Sequence, residues 1–102
     1  MRKKHKELIE YIATQFGSEA QKNQLVEEMS ELTQIICKMN RMKNKGQALA
    51  SDITMESLKE HYIEELADVN IVLQQLIFLV GEDQVNKMMD KKLERTISRI
   101  IA

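Results

Sequence analysis

Two short acidic runs carry the residue types and spacing that could do chemistry: Glu27-Glu28-Met29-Ser30-Glu31 and Glu64-Glu65-Leu66-Ala67-Asp68. On a helix, carboxylates three residues apart lie on one side, so Glu28 pairs with Glu31 and Glu65 with Asp68. Two such helices packed face to face would present four carboxylates to a common point. All-oxygen donor sets of that kind suit Mg²⁺ or Mn²⁺, hard cations that keep several waters and bridge to phosphate oxygens. Acidic runs are also commonplace in a chain with 16 Asp plus Glu among 102 residues. The competing reading is therefore a pair of Glu-rich helices whose acids reach solvent or meet Lys and Arg.

Position on the helix separates the two readings. With each residue turned by about 100°, Glu28 falls between Ile35 and Met39, inside an apolar stripe that includes Leu25, Met29, Leu32 and Ile36. Glu31 lies at that stripe's edge. Further along, Glu65 falls between Val72 and Leu76, again inside an apolar stripe, with Asp68 beside Leu79 at its edge. A charged carboxylate in apolar surroundings is costly unless something positive compensates, and converging carboxylates repel one another. A complementary row follows near the end of the chain. Lys92, Arg95 and Arg99 border the stripe formed by Val85, Met89, Leu93, Ile97 and Ile100. Such a row could clamp phosphate oxygens, Arg through paired donors and Lys as a point charge, or it could be ordinary solvated charge near a helix C-terminus.

The elements that must position these groups are helices. No Pro, three Gly and an abundance of Leu, Ile, Met, Glu, Lys and Gln predict an all-α chain, because straight-chain residues lose little rotamer freedom in a helix. The apolar spacing predicts a first helix over about 4–16, stopped by Gly17, and a second over about 19–42, capped by Ser18. Residues 44–53 read as the one substantial loop. Asp52 or Thr54 then caps a third helix that continues to Val80, and a fourth covers 82–101 after Gly81. Ile71 and Phe78 fall opposite the main stripe of the third helix, leaving it apolar nearly all round. A second subunit would give that helix cover on both sides.

Composition narrows the class. A chain of 102 residues is expected to form a single helical domain over 1–102. A net charge of -1, from 15 Lys plus Arg against 16 acids, argues against a general nucleic-acid binder. No apolar run reaches the roughly 18 residues of a membrane span. The lone cysteine, Cys37, cannot close an intramolecular disulfide, and no apolar stretch follows the charged N-terminus, so a cytoplasmic location is expected. His61, one turn before Glu65 and on the same edge as Asp68, could support or ligate a metal, but it reads first as a surface or partly buried histidine, a hard oxygen site having no need of it. The seven methionines read as gap-fillers of a helical core.

With these residues in view, the chain resembles the MazG-like, all-α nucleotide pyrophosphohydrolase superfamily. The resemblance rests on EExxE at Glu27, Glu28 and Glu31, ExxD at Glu65 and Asp68, and KxxRxxxR at Lys92, Arg95 and Arg99, and it spans roughly residues 19–99. It implies a four-helix bundle-like fold of the MazG type, assembled as a homodimer or homotetramer. It further implies Mg²⁺, or Mn²⁺, held by Glu28, Glu31, Glu65 and Asp68, with Glu27 and Glu64 as supporting or water-orienting acids. Lys92 and Arg95, and Arg99 in the same motif, would contact the phosphates. The expected reaction is hydrolysis of a nucleoside triphosphate to the monophosphate and pyrophosphate, as nucleotide-pool housekeeping. Two alternatives stand beside it: the same chemistry on phosphoribosyl-ATP, and a non-catalytic helical interaction module whose binding surface is the apolar third helix.

Overall fold

Helix-favouring composition carries through to the computed structural model, which describes residues 1–45 and 53–102. These residues form four helices and no strand: α1 (Lys3–Phe16), α2 (Ser18–Lys45), α3 (Met55–Val80) and α4 (Glu82–Ile101). Single glycines separate α1 from α2 and α3 from α4. Gly17 sits at φ 85, ψ 169, where its N–H donates to the Ala13 carbonyl and its own carbonyl accepts from Gln21. That backbone conformation is open essentially to glycine alone, so one residue ends α1 and starts α2. Ser18, expected as a cap, is consequently the first residue of α2 instead.

The second helix continues to Lys45, three residues beyond its expected end at 42, and takes in the first residues of the loop expected over 44–53. Asn40 to Lys45 lacks any breaker, and Gly46 is the first residue that could stop the helix. Of the two expected caps of α3, Thr54 is the one seen. Its Oγ1 accepts from the Ser57 N–H at 3.0 Å, and Ser57 Oγ accepts from the Thr54 N–H at 3.2 Å, a reciprocal capping box. Asp52 and most of the expected loop lie outside the described residues.

The third helix is the hub. Both α1 and α2 pack on it, through buried Ile9, Ala13, Ile35, Leu58 and Val72. The pairing of α2 with α3 is antiparallel: Gln21 meets Gln75 near one end, while Lys38 and His61 share a cavity toward the other. The fourth helix stands apart. Among the described elements its backbone approaches only α3, no residue of it is buried, and Val85 alone is half-buried. The radius of gyration, 17.3 Å, exceeds the ~13 Å of a closed 100-residue domain. Within one chain, α1 to α3 make a three-helix core, and α4 does not close it into a four-helix bundle. No helix among the described residues is long and apolar enough to cross a membrane.

Candidate metal centre

The seam between α2 and α3 carries a polar layer where periodicity asks for apolar side chains. At one end Gln21 Nε2 donates to Gln75 Oε1 at 2.6 Å, with both residues buried. This cross-helix amide bond satisfies polar groups on both sides of the seam. Midway along, one carboxylate oxygen from each of Glu28, Glu31 and Glu65 lies within 4.8 Å of the other two. The three differ in exposure: Glu65 is 6% exposed, Glu28 is half-buried, and Glu31 is exposed.

Each of the two more enclosed acids is tied down by one oxygen only. Gln24 Nε2 donates to Glu28 Oε1 at 2.8 Å. His61 Nε2 lies 3.2 Å from Glu65 Oε1. Both partners precede their acid by four residues, so each orienting contact is made within a single helix. The other oxygens, Glu28 Oε2 and Glu65 Oε2, are buried without a hydrogen-bond partner among the described residues. Buried carboxylate oxygens left unpaired cost more than ordinary polar groups, and three like charges this close add repulsion. A divalent cation would remove both penalties. An all-oxygen donor set with one solvent-facing member fits Mg²⁺ or Mn²⁺, which keep waters on their open positions. Glu28, Glu31 and Glu65 are the residues that would hold it.

A cavity of about 340 Å³ opens beside this cluster, lined by Glu31, Gln34, Ile35, Lys38, His61 and Glu65.

The remaining expected site residues fall elsewhere. Asp68 is exposed and outside the trio, so three carboxylates converge rather than four. Its three-residue step from Glu65 stops about 60° short of a full turn and carries it to the outer edge of α3. Glu27 and Glu64 are exposed neighbours of the trio in sequence, and neither joins it. Lys92, Arg95 and Arg99 are exposed along α4, whose backbone makes no approach to α2. They therefore do not line the cavity formed within their own chain. Residues not anticipated also take part: Gln24, legible as an i, i+4 partner of Glu28, and Gln34 and Lys38, which line the cavity, while His61, read first as a surface or partly buried histidine, contacts Glu65. Cys37 is exposed and unpaired with any other cysteine.

No family model matches the chain, and neither a curated protein nor a solved structure matches it.

Proposed function

We propose that the chain is a divalent-metal-dependent nucleotide pyrophosphohydrolase of the MazG-like kind, converting a nucleoside triphosphate to the monophosphate and pyrophosphate. The observation that carries the reading is the pair of buried, unpartnered oxygens on Glu28 and Glu65, two acids that cluster with Glu31 at the seam of two helices. The EExxE and ExxD patterns supply the resemblance, and the geometry is compatible with three of its four expected metal ligands, Asp68 lying outside the cluster. Bound Mg²⁺ or Mn²⁺ would neutralise charge on the phosphate oxygens and acidify water. The chain's own part is to hold Glu28 and Glu65 in fixed orientations through Gln24 and His61. Glu27 and Glu64 are assigned to orient the attacking water. The water's oxygen forms a bond to the α-phosphorus and gives up its proton to one of these carboxylates, while the bond to the bridging oxygen breaks and its electron pair leaves with pyrophosphate.

A screen of nucleoside triphosphates and phosphoribosyl-ATP, with detection of released pyrophosphate in Mg²⁺, tests the reaction and its substrate class together. Turnover of at least one substrate is expected. Complete inactivity across the panel would favour the helical interaction module.

Assembly belongs to the same proposal. Met89, Leu93, Ile97 and Ile100 on α4 are each about half exposed or more, as are Val26 and Met29 on α2. Acidic residues start α4 and basic ones dominate its end, so two copies laid antiparallel would bring opposite charges together. A homodimer or homotetramer covers this surface and can bring the basic row of one subunit toward another. Light scattering at micromolar concentration is expected to report a multiple of 11.9 kDa, and a mass near 11.9 kDa would reject assembly.

A further inference from the structure

The cavity beside the acidic trio is walled by groups of both signs. Glu31 and Glu65 contribute carboxylates, while Lys38, Gln34 and His61 contribute nitrogen donors. Lys38 is half-buried and stands seven residues beyond Glu31, which keeps it on the same face of α2. It forms no ion pair with any of the described residues, although two of its fellow lining residues are acids. His61 differs in this respect, since its Nε2 is engaged with Glu65 Oε1. A purely acidic pocket would take a cation alone, and a lysine among apolar residues would take an anion alone. A cavity offering both, side by side, matches a metal ion together with the oxyanion it neutralises.

We propose that Lys38 forms an oxyanion subsite of this cavity, with Gln34 as a neutral donor, and that it receives the diphosphate part of a metal-associated nucleotide. The subsite rests on the metal-dependent reading given above and adds a phosphate contact on α2, within the chain that holds the metal. That contact is independent of the basic row of α4. In the reaction, Lys38 would meet the oxygens that gain charge as pyrophosphate departs, where a fixed cation has most effect.

Calorimetric titration of the full chain with Mg²⁺ alone, and then with inorganic pyrophosphate at saturating Mg²⁺, tests the assignment. Lys38→Met keeps the apolar stem and removes the charge, and Lys38→Ala is its companion should one of the two fold poorly. Both are expected to bind Mg²⁺ like the wild type and to bind pyrophosphate about 10- to 100-fold more weakly, as for a lost charged hydrogen bond. Lys38→Arg should recover part of the affinity. Lys91→Ala, exposed on α4, should leave both affinities unchanged. Wild-type pyrophosphate binding in Lys38→Met, or an equal loss in Lys91→Ala, would overturn the subsite while leaving the metal site standing. A wild-type chain that bound Mg²⁺ but no pyrophosphate would do the same. Failure of the wild type to bind Mg²⁺ at all would overturn the metal reading, and the subsite with it.

Discussion

Glu65→Gln is expected to reduce turnover by about 10²-fold or more without unfolding the protein. Glu65 is the most enclosed of the three carboxylates, and its Oε2 has no hydrogen-bond partner among the described residues. Gln has the same shape, so packing between α2 and α3 is preserved, but a neutral amide is a poor ligand for a hard cation. Removing the charge also relieves repulsion from Glu28 and Glu31, whose oxygens lie within 4.8 Å. The metal-free variant should therefore melt no lower than the metal-free wild type, while its Mg²⁺ affinity falls. Glu60→Gln, exposed on the same helix, should change neither property. Normal turnover and normal Mg²⁺ affinity in Glu65→Gln would show that the acid has no part in the chemistry.

Chelator-stripped wild-type protein should lose activity, and Mg²⁺ or Mn²⁺ should restore both activity and thermal stability. A ligand that binds only the folded state at 100 times its Kd stabilises by about 2.7 kcal/mol, which for a chain of this size raises Tm by on the order of 10–20 °C. The effect should be this plain because the ligands come from two helices far apart in sequence, so the unfolded chain offers no comparable site. The same titration on Glu28→Gln should give a much smaller rise. A melting curve indifferent to divalent metal between the stripped and replenished states would remove the case for a metal centre.

The sequence carried the helices and the intrusion of the acids with good resolution, for separable physical reasons. Gly17 and Gly81 marked two junctions because both adopt positive φ, and Thr54 marked the start of α3 because its side chain can cap Ser57. Glu28 and Glu65 stood out because each interrupts an apolar stripe on its own helix. What a single helix cannot reveal is which edge of the stripe faces a neighbour. Glu31 and Asp68 both sit three residues beyond an intruding acid, yet only Glu31 joins the cluster. That outcome depends on the antiparallel register of α2 against α3, which is set by contacts distant in sequence, such as Gln21 with Gln75. Lys38 escaped notice for a similar reason. It lines the cavity together with His61 of α3, and its own helix gives no sign of that. Likewise α4 has a regular amphipathic pattern, but no pattern within a helix states whether its apolar face is covered by the same chain.

The isolated position of α4 has a consequence for cooperativity. A 20-residue helix with no buried residue draws little stability from tertiary packing, which supplies most of what keeps protein helices formed. Within a single chain its backbone amides should open at far smaller free energy than those of α3, so the two helices would behave as separate foldons although one glycine joins them. Covering the α4 stripe with another copy would tie that opening to subunit dissociation, and protection of its amides from exchange would then rise with protein concentration.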